Sequence, residues 1–184
     1  RIKLQLAFIK DKEITNKLSN DVNEMEKMLN EYLQFASTDA KDKTESFDIC
    51  ELVNEIIEKY QNPKIEKNFN KKIYFNGRKN LITRCINNLI DNSLKYGQKV
   101  LVSIEKDLSN IVLLIDDDGP GIPESEYQNI TKPFYKIDKS RSESKSSVGL
   151  GLSISSDIIK SHGGDIKFDK SKLGGLRVMI YLPF

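Results

Sequence analysis

The apolar run Ile111-Val112-Leu113-Leu114-Ile115 ends in three carboxylates, Asp116, Asp117 and Asp118, followed by Gly119-Pro120-Gly121-Ile122. A buried strand that delivers an aspartate to a turn of bare backbone suits a ligand with an amine to donate and a flat face to cover. The carboxylate accepts the hydrogen bond, and burial makes that bond selective. A strand ending in an acidic turn has the same eight residues, so this stretch alone leaves both readings open. Asn88, Asn92 and Lys95 stand at i, i+4 and i+7 of a helical pattern, on one face. Helix interiors disfavour asparagine. Amide oxygens are hard ligands suited to Mg²⁺, and a lysine is a point charge suited to phosphate. A solvated polar face is the alternative. Gly149-Leu150-Gly151-Leu152 leads into a helical pattern through Ile154, Ile158 and Ile159. Glycines before a helix N-terminus leave backbone N–H groups open at the positive end of the dipole, a natural phosphate site. Residues 132–147 lose all periodicity and set Lys132, Lys136, Lys139, Arg141 and Lys145 against Asp138 and Glu143. Such a loop reads as a lid over an anion or as a surface insertion.

These residues need elements to position them. Residues 78–96 read as a helix with Ile82, Ile86, Leu89, Ile90 and Leu94 on its apolar face, closed by Gly97 as a left-handed C-terminal residue. Residues 100–106 and 111–115 read as strands around a turn at Leu108-Ser109-Asn110, and Pro123-Glu124-Ser125-Glu126 as a helix start. Residues 165–170 and 176–182 alternate as a hairpin around Gly174-Gly175. Upstream, Asp48 caps a helix through residue 60 that Asn62-Pro63 stops. Residues 64–70 and 72–76 read as short strands, and residues 40–46 as a linker.

The first 40 residues hold no glycine or proline. Ile2, Leu6 and Ile9 precede a polar break at residues 10–13. A narrow seam then runs through Ile14, Leu18, Val22, Met25, Leu29, Tyr32 and Ala36. An antiparallel hairpin that pairs with a second copy into a four-helix bundle explains the seam; packing on the following domain is the other solution. The net charge of +2 points to no polyanion and hence to no nucleic acid. Cys50 and Cys85 fall in apolar helical patterns and read as buried free thiols. No apolar run reaches the length of a membrane span. The chain opens at Arg1 inside a helical pattern, so the expectation is a fragment.

Taken together, these motifs resemble the core of a sensor histidine kinase. Asn88-Leu89-Ile90-Asp91-Asn92-Ser93-Leu94-Lys95-Tyr96 resembles the N box, Asp117-Asp118-Gly119-Pro120-Gly121-Ile122 the G1 box, Lys132-Pro133-Phe134-Tyr135 the F box, Gly149-Leu150-Gly151-Leu152 the G2 box, and Gly174-Gly175-Leu176 the terminal glycine element. Details around Asp116 to Pro120 resemble the osmosensor branch more weakly. The resemblance implies an α+β chain: a helical hairpin of a dimeric four-helix bundle over residues 1–43, then a two-layer α/β sandwich of the GHKL ATPase and kinase type, with a mixed sheet, over residues 44–184. It implies ATP and Mg²⁺ as cofactors. Asn92, with Asn88 beside it, would ligate the metal; Lys95 and Tyr96 would meet phosphate or ribose. Asp117 would accept from the adenine amine, with Gly119 and Gly121 admitting the ring. Ile122, Phe134 and Leu152 would line the pocket or anchor the lid, and Gly149, Leu150 and Gly151 would present the helix start to the triphosphate.

It also implies a homodimer and a response-regulator partner, in the cytoplasmic portion of a plasma-membrane sensor that reaches the membrane through segments upstream. Two departures stand out. Ser147 replaces a usual glycine ahead of the G2 box, and the phosphate-accepting histidine is absent, so no catalytic residue is named. His162, the sole histidine, reads as a helix C-terminal residue. An ATP-driven conformational switch and a dimeric nucleotide-binding adaptor without kinase activity are the alternatives. Asn88, where a switch ATPase needs a carboxylate, argues against the first, and the intact Asn92, Asp117, Gly119 and Gly121 against the second.

Overall fold

The computed structural model describes residues 12–38, 42–62, 64–137 and 149–184. Helix α1 (Lys12–Thr38) carries the seam, and Ile14, Leu18, Met25 and Leu29 on it are exposed. The expected partner helix of the hairpin, within residues 1–11, lies outside the described residues.

Strand β1 (Glu45–Asp48) occupies the end of the stretch expected to be a linker and pairs antiparallel with β3 (Tyr74–Gly77). This corrects the sequence reading, and the cause is non-local. Phe47 packs edge-to-face on Phe75 directly opposite, with ring centroids 5.9 Å apart. Helix α2 (Ile49–Tyr60) starts as expected, with the Asp48 carboxylate accepting the Cys50 N–H at 3.0 Å. It closes on Gln61 in the left-handed conformation, one residue before Asn62.

The main sheet has five strands in the order β2 (Ile65–Asn68), β4 (Val100–Lys106), β5 (Asn110–Asp117), β7 (Leu176–Pro183), β6 (Asp165–Lys170). The β2–β4 pair is parallel and the rest antiparallel, so the sheet is mixed as expected. Period-2 alternation sends Val100, Val102 and Ile104, Ile111, Leu113 and Ile115, and Val178, Ile180 and Leu182 into one core with α2, α3 (Lys79–Tyr96) and α4 (Gly151–Ser161). That core makes a two-layer α/β sandwich. On α3, Ile86, Leu89 and Ile90 are at most 1% exposed, each worth roughly 1.5–3 kcal/mol of burial. Both cysteines are buried and free, and burial pushes the Cys85 thiol up to about 12.

Two further expectations are corrected. Gly97 is extended (φ −112°, ψ 175°), not left-handed. A Cβ there would stand 2.7 Å from Asp118 Oδ1, so the glycine serves close approach. The helix start at Pro123 amounts to one 3₁₀ turn, Glu124–Glu126.

Candidate functional site

The three consecutive aspartates do three different things. Adjacent residues of a strand face opposite sides, so Asp117 shares the core face with Ile111, Leu113 and Ile115 while Asp116 takes the other. Asp117 is 5% exposed. Its Oδ1 accepts the N–H groups of Gly119 (2.9 Å) and Leu176 (3.0 Å), and Ser93 of α3 adds a side-chain bond. Burial outweighs these bonds and holds its carboxyl above the usual range. Asp116 is pinned by Arg177, with Nε at 2.9 Å and Nη2 at 3.0 Å. Asp118 turns to the α3–β4 connection and accepts from Gln98 N (2.6 Å) and Lys99 N (2.8 Å). These backbone donors, Lys99 first, lower its pKa.

Two glycines let the turn after β5 pack this closely. Gly121 sits at φ +68°, a conformation that favours glycine. Gly175, read from the sequence as part of a hairpin and of the terminal glycine element, closes the other side. A Cβ on it would lie 2.1 Å from Asp117 Oδ1 and 2.5 Å from Gly119 N, and its own N–H donates to Asp117 O at 3.1 Å.

Helix α3 brings the second group. It has four asparagines, and the structure divides them. Asn80 donates to Asp42 at 2.9 Å, and Asn87 accepts from Tyr60, which also donates to Asp91 at 2.8 Å. Asn88 and Asn92 are half-buried, and among the described residues neither side chain finds a hydrogen-bond partner. Both amides on this stripe therefore stay open to solvent or to a ligand. Lys95 and Tyr96 end the same helix, the ammonium 5.4 Å from the ring centroid. The Tyr96 carbonyl lies 3.0 Å from where a Gly119 Cβ would stand, which ties this end of α3 to the aspartate turn.

Helix α4 runs antiparallel beside α3. Arg78 N meets His162 Nε2 at 3.0 Å; seven residues further on, Cys85 Sγ meets Ser155 O at 3.9 Å, seven residues back along α4. The same register puts Asn88 level with Leu152 and Leu89 level with Gly151. Among the described residues a Cβ on Gly151 would touch nothing within 4 Å, so their packing gives no reason for that glycine. Gly149 sits at φ +78° and accepts the Phe134 N–H at 3.0 Å, which joins the two ends of the basic segment.

The remaining expected residues separate. Leu150 is buried, and Ile122 and Leu152 are half-buried against the core. Phe134 instead is 60% exposed and left-handed (φ +64°). Lys139, Arg141, Lys145 and Ser147 lie outside the described residues. A depression of about 680 Å³ lined by Gly121, Ile122, Tyr127, Phe168 and Gly175 opens beside the turn, but it reaches none of Asn88, Asn92 or Asp117. Unpaired polar groups, not concavity, mark the site. Among the described residues no cluster of three His, Cys, Asp or Glu could hold a metal.

A family model described as histidine kinase-, DNA gyrase B- and HSP90-like ATPase matches residues 77–184, which span α3, the aspartate turn and α4. The chain belongs to this family. Its relatives include the sensor histidine kinase GtrS of Pseudomonas aeruginosa, 34% identical over 185 residues, covering 100% of this chain and 38% of GtrS. The sensor histidine kinase CpxA of Escherichia coli K12 is 37% identical over 108 residues, 58% of this chain and 24% of CpxA. The solved mycobacterial sensor histidine kinase MprB superposes with a TM-score of 0.65 at 25% identity over 77% of this chain and 97% of that one. The chain thus spans well under half of these curated relatives. Among the described residues no helix is long and apolar enough to cross a membrane.

Proposed function

We propose that this chain is the Mg-ATP-binding catalytic portion of a two-component sensor histidine kinase, which transfers the γ-phosphoryl group to a histidine outside these 184 residues and from there to an aspartate of a response regulator. The division of the α3 asparagines carries the reading: Asn80 and Asn87 are used internally, while the Asn88 and Asn92 amides have no partner among the described residues. In the assigned roles, Asp117 accepts from the adenine amine, and Gly119, Gly121 and Ile122 admit the ring. Lys95 and Tyr96 meet phosphate or ribose, and Gly149, Leu150, Gly151 and Leu152 present the start of α4 to the phosphates. Phe134 anchors the lid rather than the pocket. Asn92, with Asn88, would hold Mg²⁺, which neutralises phosphate charge in such transfers. The protein's own contribution is positioning and charge complementarity.

Residues 1–43 would form part of the dimerisation and phosphotransfer hairpin, with α1 pairing against a second copy through Ile14, Leu18, Met25 and Leu29. Residues 44–184 would form the catalytic domain. Membrane attachment would come through segments beyond this chain.

Titration calorimetry with Mg-ATP tests the site. Asp117→Ala or Asn92→Ala should each weaken binding roughly 5- to 150-fold, the equivalent of about 1–3 kcal/mol for an unmet buried polar partner. Parent-like binding in both variants would sink the assignment. No acid-labile phosphate is expected on His162, because both ring nitrogens are engaged, Nε2 by Arg78 N and Nδ1 by Ile158 O at 2.7 Å.

A further inference from the structure

We propose that His162 is a positioning residue for the nucleotide: its ring ties the end of α4 to the start of α3 and so sets the spacing of the two helices at their opposite, ligand-facing ends. The inference rests on the nucleotide reading above. Arg78, the N-cap residue of α3, makes no side-chain cap bond, and no acid stands in the first turn. A helix start leaves four N–H groups without intrahelical partners. One of them, Arg78 N–H, is taken from another helix by His162 Nε2 at 3.0 Å. The Ile158 carbonyl, 2.7 Å from Nδ1, can only accept, so the network assigns the proton to Nδ1 and leaves Nε2 as the acceptor. The ring is thus a neutral strut of one tautomer.

The surroundings hold that strut in place. The Arg78 guanidinium donates to Ser161 Oγ at 2.6 Å, which doubles the tie between the same two helix ends. The ring packs on Phe75, with centroids 6.0 Å apart. A Cβ on Gly77 would come within 3.1 Å of the His162 ring and 2.3 Å of the Phe75 ring, so β3 leaves the slot that the imidazole fills.

The mechanical consequence follows from helix geometry. Asn92 lies seven residues beyond the Cys85 contact with Ser155, about 10 Å along the axis at 1.5 Å per residue. A tilt of about 5° around that contact moves the Asn92 level by about 1 Å relative to α4, a misplacement large enough to matter for a positioned phosphate.

The test uses the whole 184-residue chain and measures Mg-ATP affinity by calorimetry well below each variant's melting temperature. His162→Ala should weaken binding about three- to tenfold, the size of a lost cap. His162→Gln, whose Oε1 reaches the place of Nε2, should recover most of the affinity. His162→Asn, which restores only the donor at the Nδ1 position, should not. The Arg78 amide should exchange with solvent faster in the alanine and asparagine variants than in the glutamine variant. A purely structural residue would lower melting temperatures without this ordering of affinities. If His162→Ala does not fold, the glutamine–asparagine pair decides the question. Equal affinities in the parent chain and in the folded variants would overturn the positioning role alone, whereas failure of the parent to bind Mg-ATP would overturn the site reading with it.

Discussion

The α3–α4 pair has two ends built on opposite principles. At the far end the polar groups of the tie answer one another: Arg78 N is used by His162, the Arg78 guanidinium by Ser161, His162 Nδ1 by Ile158 O. At the near end Asn88 and Asn92 have no partner among the described residues, and Gly151 faces open space. The closed end ties the two helices together, and in the proposed reading the open end keeps its donors and acceptors for the nucleotide. Polar groups left unsatisfied in one patch, while their neighbours of the same type are satisfied, mark a binding site more sharply than composition does.

Two glycines put this contrast at risk most directly. Gly175 is closed in by protein: a Cβ would collide with Asp117 Oδ1 at 2.1 Å and with backbone nitrogen at 2.5 Å, neither of which can swing away. Gly175→Ala should therefore cost about 3 kcal/mol or more of unfolding free energy, at the upper end for overpacking. Gly151 opens a helix and a Cβ there meets nothing. Gly151→Ala should leave the free protein as stable or stabilise it by up to about 1 kcal/mol, as alanine does relative to glycine in helices. It should nevertheless weaken Mg-ATP binding, because the methyl enters the phosphate space. Chemical denaturation read beside calorimetry separates the two. A Gly151→Ala variant that binds like the parent would mean that the open end is merely vacant surface.

The aspartates repeat the contrast within three residues. Asp116 belongs to the closed kind, and Asp116→Ala leaves Arg177 without its bidentate partner. The cost should be about 2–3 kcal/mol, below the 3–5 typical of a fully buried pair because Arg177 is 16% exposed and can reach water. Asp117 and Asp118 are distinguished by pH. The Asp117 pKa is raised by burial, so the stability it lends is present when the group is protonated, below the ordinary aspartate value, and is lost as pH rises through the raised one. At neutral pH its charge is therefore a cost to the fold. The Asp118 pKa is lowered by the Lys99 and Gln98 N–H groups, so its contribution is present above the ordinary value and disappears as pH falls through the lowered one. Asp117→Asn, which keeps an oxygen for Gly119 and Leu176, should raise stability at pH near 7 and lose that advantage in acid, while nucleotide binding falls. Asp118→Asn should lower stability at pH near 7. Denaturation curves at neutral and acidic pH read both signs, and a destabilised Asp117→Asn at neutral pH would contradict the account of its burial.

How much of this was readable from the sequence depends on distance along the chain. Period-2 strands, the apolar face of α3, the Asp48 cap and the Asn88–Asn92 stripe are local patterns, and all are found where the spacing put them. Strand β1 was not readable, because a polar four-residue stretch becomes a strand only through Phe75, 28 residues away. Gly97 was misread because a helix-ending glycine usually means a left-handed residue, while here the reason is Asp118, 21 residues on. Nothing near Gly175 in sequence signals that Asp117 sits against it. His162 was read as a helix end, which it is, but its second nitrogen answers to Arg78, 84 residues away. The chemistry-bearing residue types were visible in the sequence; the division of oxygens and N–H groups among them was set by the sheet register and by the α3–α4 contact.

The finest version of the contrast lies in two neighbouring residues of one helix. Asn87 and Asn88 share residue type, burial class and helical environment, and differ by one step of about 100° around the axis. That step turns Asn87 toward Tyr60, whose hydroxyl lies 3.3 Å from its carbonyl and 3.4 Å from its Oδ1, in a network with Asp91 that pushes the Tyr60 pKa upward, burial first and the Asp91 bond second. Asn88, level with Leu152 of α4, meets no protein partner among the described residues. Both bonds to Asn87 are long, so Asn87→Ala should cost only about 0.5–1 kcal/mol and leave Mg-ATP affinity unchanged. Asn88→Ala should change stability by less than about 0.5 kcal/mol, or raise it slightly through alanine's helix propensity, and weaken Mg-ATP binding severalfold. The two single variants, each measured by denaturation and by calorimetry, cross over: one loses stability without affinity, the other affinity without stability. A pair of variants that lost both properties together, or neither, would show that the two faces of α3 are not divided between fold and ligand.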